Sequence, residues 1–158
     1  MIHDERSVAK VTVLGQTLAV QILLATICDF AADYQGKLCI LGSFDTLCAR
    51  EFPVTHPQCS FALRLCFDPE DKASTQLSIR ALGPEDEDIM PPFPASIDTT
   101  FPPGSPPFIT RNIVLNLQRV KFDKPGLYRF IVEREGDEIA AVPLRVMLFQ
   151  NEQRQPWG

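Results

Sequence analysis

Three of the five cysteines fall in "TICDFAADYQGKLCILGSFDTLCARE", residues 26–51: Cys28, Cys39 and Cys48. Clustered thiols of this kind are the ordinary material of a zinc site, a disulfide or a nucleophile. None of the spacings is C-x-x-C, so zinc has no ligand pattern to use. If the chain turns at Gln35–Gly36, Cys39 faces Ala32 and Cys28 faces Ser43. The two sulfurs are then about four residues out of register, roughly 13 Å along a strand, whereas a disulfide spans Cα atoms within about 7 Å. These cysteines, and with them the other two, are therefore expected as free thiols packed as small hydrophobes.

His56 and Cys59, in "HPQC", have the residue types of a Cys–His pair. Cys59 lies on the apolar face of an alternating stretch, where a thiolate is hard to sustain. The only other histidine is His3. No triad can be assembled, and His56 is expected to make a local turn contact before Pro57. "PEDEDI", residues 84–89, together with Asp68 and Asp71 in "DPED", supplies carboxylates of the kind calcium takes. Calcium needs six to eight spaced oxygens, and the spacing matches no defined binding loop, so a solvated acidic loop is the expectation. There is no Gly-rich phosphate loop, G-x-S-x-G or H-E-x-x-H. No metal or cofactor is expected.

The elements that hold these residues are strands. Period-2 alternation dominates the chain, and no long window repeats at helical spacing. In "QCSFALRLCF" Cys59, Phe61, Leu63, Leu65 and Phe67 share one face; in "TQLSIRAL" Leu77, Ile79 and Ala81 do; in "NIVLNLQ" Ile113, Leu115 and Leu117 do. "LYRFIVEREGDEIAAVPLRVML" reads as a hairpin with Tyr128, Phe130 and Val132 on one face of its first strand and Ala140, Val142, Leu144 and Val146 on one face of its second. Ladder partners point to the same side, so even residues pair with even. A three-residue loop, Glu135–Gly136–Asp137, gives that parity. A second hairpin spans residues 20–47 and turns near Asp33–Gly36. Its strands are apolar at nearly every position, which reads as cover on both sides or a central place in a sheet.

The chain has 158 residues, 45% hydrophobic and 22% charged, the size and composition of one globular domain. A net charge of −5 opposes generic nucleic-acid binding and an anionic membrane surface. The apolar stretch Leu18–Cys28 is too short to span a bilayer and lacks a basic leader, with Asp4 and Glu5 ahead of it. It reads as a buried strand. The odd cysteine count favours a reducing compartment. Most of the 14 prolines lie between Pro84 and Pro107, which makes that segment an edge or a long connection between sheets. The fold expected is all-β: an antiparallel β-sandwich of about seven or eight strands, immunoglobulin-like or C2-like. Residues 1–17 form an extension, 18–149 the domain, and 150–158 a tail.

"CDFAADYQGKLCILGSFDTLCAREFPVTHPQCSFALRLCF" and "NIVLNLQRVKFDKPGLYRFIVEREGDEIAAVPLRV" resemble a bacterial family of uncharacterised small β-sandwich domains. The resemblance covers most of residues 20–148. It implies an intact bacterial cytoplasmic sandwich and brings no activity, cofactor or catalytic residue with it. The function expected is a non-enzymatic cytoplasmic interaction or accessory domain, its partner another protein or a second copy. The alternative is a loop-sited hydrolase or calcium-dependent binding module, which needs the acidic loops and His56 to converge. The expected partner surface is Met90, Phe93, Phe101 and Phe108, held among prolines that stiffen the chain without a ladder. The competing expectation is that these side chains close the open edge of the sandwich.

Overall fold

The computed structural model describes residues 20–104 and 106–149; the extension 1–17 and the tail 150–158 lie outside the described residues. Nine strands fill this span: β1 Gln21–Tyr34, β2 Lys37–Ser43, β3 Thr46–Ala49, β4 Val54–Phe67, β5 Ser74–Leu82, β6 Phe93–Asp98, β7 Ile109–Phe122, β8 Gly126–Arg134 and β9 Asp137–Leu148. They form two sheets, β2-β1-β4-β7 and β3-β9-β8-β5-β6. The all-β sandwich is as the alternation implies, with two differences. There are nine strands where about seven or eight are expected, because β3 and β6 are short edge strands in segments rich in turn residues. One pair, β3–β9, is parallel, because the chain leaves the first sheet at Phe44–Asp45 and joins the second in the same direction as β9.

The two sheets share one core. The inward set Cys59, Phe61, Leu63, Leu65 and Phe67 of β4 meets Leu77, Ile79 and Ala81 of β5, Tyr128, Phe130 and Val132 of β8, and Leu144 and Val146 of β9. Phe61 and Phe130 stack across the sheets with centroids 5.8 Å apart. Where the chain crosses from β7 to β8, Tyr128 packs edge-on to Phe122 at 4.9 Å and donates its hydroxyl to the Lys124 carbonyl at 2.7 Å. A buried tyrosine tied back to the backbone a few residues upstream, at the corner between two sheets, is a mark of immunoglobulin-like sandwiches. β4 and β7 take the B and E places of that topology, and β5, β8 and β9 the C, F and G places.

The β8–β9 hairpin corrects the loop expectation. Arg134 pairs with Asp137 and Glu133 with Glu138, so the loop has two residues, Glu135–Gly136, and not three. The face parity is still even with even further along, Val132 opposite Ala140. An extra residue, Ile139, is bulged out of β9 and restores it. Positive φ at Glu135 (53°) and Gly136 (89°) gives the turn its tightness.

Candidate functional site

β1 has two halves with different partners. Its first half pairs antiparallel with β4, Gln21 opposite Cys66 through Cys28 opposite Ser60. Its second half pairs with β2, Cys28 opposite Ser43 through Tyr34 opposite Lys37, around a two-residue turn at Gln35–Gly36. A straight strand would carry that turn some 40 Å beyond Leu24 at about 3.3 Å per residue. Instead the turn returns to the level of Leu24's partner Arg64. Arg64 Nη1 donates to the Gly36 carbonyl at 2.9 Å, and Asn112 Nδ2 donates to Asp33 Oδ2 at 2.7 Å. The hairpin is therefore folded back over the outer face of β4 and β7. The reversal lies at Asp29, opposite Gly42 on β2. Gly42 has φ 67°, and a Cβ there would stand 2.4 Å from Asp29 Oδ2, so glycine supplies both the conformation and the room.

The fold-back accounts for burial that strand alternation does not predict. Ser60 and Ala62 point away from the main core on β4, yet neither has exposed surface. They lie under the hairpin. Cys28, Ala31 and Ala62 make a small second cluster with Leu38, Ile40 and Val114. Ser60 donates to Asn116 Oδ1 at 2.8 Å in the same layer. The Asp33 carboxyl is held below the usual carboxylate range, first by the hydrogen bond from Asn112 and then by that from the Gly36 amide.

One face of the hairpin is thus spent on the sheet, and among the described residues nothing packs on the other. The cross-strand pairs Phe30/Leu41, Ala32/Cys39 and Tyr34/Lys37 share that outward face. Phe30 is 49% exposed, Tyr34 60% and Leu41 67%. β2 is also the edge of its sheet. Of the two expectations for this hairpin, a central place holds for β1, which lies between β2 and β4, and cover on both sides is corrected, because the face that carries Phe30, Tyr34 and Leu41 is exposed. The segment read as a buried strand from Leu18 to Cys28 is likewise split within its described part. Ile27 and Cys28 are buried, and Leu23 and Leu24 are exposed.

The cysteines divide in the same way. The register sets Cys28 opposite Ser43 and Cys39 opposite Ala32, and all five thiols are free. Cys28 and Cys59 fill buried positions, whereas Cys39 and Cys48 are exposed, so filling fails for those two. Burial pushes the Cys59 thiol up to about 11 and raises that of Cys28. Neither is a nucleophile at neutral pH. His56 stands inside β4 opposite Val120, and not in a turn. Its ring lies 5.9 Å from Phe44, and its Nε2 is buried with no hydrogen-bond partner among the described residues.

The acidic residues scatter. Asp68 and Asp71 sit before β5 and Glu85–Asp88 after it, about 30 Å apart along nine residues. The second group is engaged by cations. Arg80 grips Asp88 through two bonds, Nε at 3.0 Å and Nη2 at 2.9 Å. Arg129 binds Asp86 at 2.7 Å and Lys124 binds Glu85 at 2.5 Å. Among the described residues no group of three or more His, Cys, Asp or Glu is placed to hold a metal ion. The proline-rich segment contributes the edge strand β6 and then crosses to β7. Met90 and Phe101 pack against the main core, whereas Phe93 and Phe108 are exposed. Phe93 starts β6, and Phe108 precedes β7 at the level of Phe67, so the four do not form one surface.

The outward hairpin face had a sequence signal. In "FAADYQGKLCIL" the residues on either side of Gln35–Gly36 alternate about the turn, and each alternate set is largely apolar. Only the fold-back tells which set is covered.

No curated protein matches the chain. Among solved structures, an immunoglobulin-like protein from Pseudomonas aeruginosa is similar at 15% identity and a TM-score of 0.40, over 84% of this chain and 99% of that one. Residues 23–147, from the first half of β1 to the end of β9, match the Family of unknown function (DUF6941), and the chain belongs to that family.

Proposed function

We propose that the chain is a non-enzymatic interaction module of a reducing, cytoplasmic compartment, and that it works through the outward face of the β1–β2 hairpin. One observation carries the reading: Phe30, Tyr34 and Leu41 stand exposed on a hairpin whose other face packs through Ala31, Leu38 and Ile40. Large apolar side chains contiguous on one rigid face are a usual mark of a binding surface. The hairpin is also additional to the sandwich. The first half of β1 and β3 already supply the strands that flank β4 and β9, and the fold between them needs only a crossing. The free thiols, two of them exposed, suit a reducing compartment. The hydrolase and calcium readings have no support, since the carboxylates are far apart or paired.

The test is partner recovery with the intact chain and with Leu41→Arg, matched for unfolding midpoint. The variant is expected to fold normally, because Leu41 is 67% exposed, and to lose the specific partners. Recovery of the same partners by both proteins would overturn the reading.

A further inference from the structure

We infer that residues 8–14 form a further strand of the sandwich, laid antiparallel along the open edge of the first half of β1, where they close the cleft between β1 and β9. The occupant of that edge is a segment of the same chain. The inference goes beyond the reading of the hairpin face and does not depend on it.

The first support is that both sheets are open at one place. β1 pairs with β4 from Gln21 to Cys28, and with β2 only from Cys28 onward. On the side away from β4 the Ile27 carbonyl accepts the Phe44 amide, and from Gln21 to Thr26 no backbone partner stands on that side among the described residues. β9 pairs with β3 only from Arg145 onward. From Asp137 to Leu144 its side away from β8 is likewise without a strand among the described residues. The two edges meet at a cleft of about 440 Å³, lined by Thr26 of β1, Val142 and Pro143 of β9, and Phe44 and Asp45 of the crossing between the sheets. On these strands Ile22, Ala25, Ile139, Ala140 and Val142 touch the main core without being fully covered. Leu23 and Leu24 are 47% and 37% exposed. Proteins ordinarily cover an open edge beside uncovered apolar side chains.

The second support is what the chain carries just ahead of that edge. Val20, the first described residue, is buried in the main core at the head of β1. The sequence that leads to it, "VAKVTVLGQTLAV", has one glycine, Gly15, at which a hairpin can reverse. Ahead of the glycine Ala9, Val11 and Val13 alternate with Lys10 and Thr12. A hairpin loop with an even number of residues pairs odd positions with even ones. Ala9, Val11 and Val13 then share the face of Val20 and Ile22, which is the core face. Lys10 and Thr12 share the face of Gln21 and Leu23, which is exposed. An odd loop would turn Lys10 into the core. The length fits as well: at about 3.3 Å per residue, residues 8–14 span roughly 23 Å and Gln21–Thr26 roughly 20 Å. A strand tethered this closely has an effective concentration of about millimolar, which favours it over a strand from another chain.

The experiment is NMR of the full chain in reductant. Proton–proton contacts are expected from Val11 and Val13 to Val20 and Ile22, and none from Lys10 to either. They are measured in the unsubstituted chain, so a variant that fails to fold leaves the test intact. Val11→Asp sets a charge against the core. Hydrogen exchange of residues 20–26 should then quicken at least about tenfold, and the unfolding midpoint should fall by about 5 °C. Lys10→Asp, on the outer face, should move the midpoint by less than about 1 °C. A mixture of labelled and unlabelled chains separates the occupants. Contacts within one chain support the inference, whereas contacts between chains put a second copy's segment on the edge and overturn it. Absence of contacts between residues 8–14 and β1 overturns it too, as do contacts from Lys10 in place of Val11, or equal losses of midpoint from Lys10→Asp and Val11→Asp. Partner recovery through Leu41 is indifferent to each of these outcomes, so the hairpin reading stands or falls by its own test.

Discussion

The β1–β2 hairpin turns at Gln35–Gly36 with φ of 52° and 78°, and the β8–β9 hairpin turns at Glu135–Gly136 with φ of 53° and 89°. Local backbone chemistry is nearly the same, and the settings differ. β8 and β9 remain in their sheet and send Tyr128, Phe130, Val132, Leu144 and Val146 into the main core. The β1–β2 hairpin reverses at Asp29 and lies on the back of the other sheet, over the small side chains Cys28 and Ala62. Its tip is fastened by polar groups, Arg64 and Asn112 onto Gly36 and Asp33. The β8–β9 tip has an ion pair of Lys72 with Glu135, both about 70% exposed, which contributes little. A turn conformation thus sets how two strands are joined, and the packing beneath decides whether they are core or attachment.

The largest contrast is in apolar truncation. Phe130→Ala removes the ring stacked on Phe61 and should cost about 3–5 kcal/mol of global stability. Ile40→Ala removes a half-buried side chain from a thin layer and should cost about 1–2 kcal/mol, less than full burial would give. Its effect should be local: hydrogen exchange should quicken for residues 30–41 while the β4, β5 and β8 amides stay protected. Equal global losses from the two variants would show that the hairpin belongs to the cooperative core.

Glycine substitution sharpens the same contrast at lower cost. At Gly136 a Cβ meets nothing within 4 Å, so Gly136→Ala carries only the left-handed backbone penalty, about 1–2 kcal/mol. Gly42→Ala carries that penalty and must also displace the Asp29 carboxylate from the point of reversal. Denaturant midpoints should rank Gly42→Ala as the more harmful. If Gly136→Ala proves worse, Gly42 does not hold the reversal.

The fold was legible where one side of a strand meets the core. Phe61, Leu63 and Leu65 show it, and the β1–β2 register could be read from Gln35–Gly36 alone because a two-residue turn leaves one pairing. The β8–β9 loop was misread because parity has two solutions, an odd loop or a two-residue loop with a bulge, and alternation cannot separate them. The candidate site was not legible for a related reason. Alternation gives two faces to residues 30–41 and does not say which is covered, and the cover comes from Ala62 and Val114, distant in sequence. The proline-rich segment drew attention through composition, but Met90 and Phe101 close over the core there, as sheltering an edge requires. Likewise the acidic loop after β5 owes its charge to a structural task, since Asp86 and Asp88 meet Arg129 and Arg80.

The smallest expected effect separates the two tips by pH. Asp33 accepts hydrogen bonds from Asn112 Nδ2 and from the Gly36 amide, the latter at 3.0 Å, and these lower its pKa in the folded chain. A carboxylate depressed below its unfolded value, about 3.9, contributes stability that is present above that value and lost as pH falls through the folded pKa. Protonation removes the acceptor charge that holds the tip to Asn112, so the β1–β2 tip should loosen in acid before the sandwich unfolds. The group is exposed and the gain is small, so a melting curve is the wrong measurement. The Gly36 amide resonance reports it directly. Its shift should titrate with a midpoint below the ordinary aspartate range, and Asp33→Asn, which keeps an acceptor oxygen but no charge, should abolish that titration. A Gly36 midpoint at or above about 3.9 would mean that the tip does not stabilise the charged form, and that the hairpin is held by its apolar layer alone.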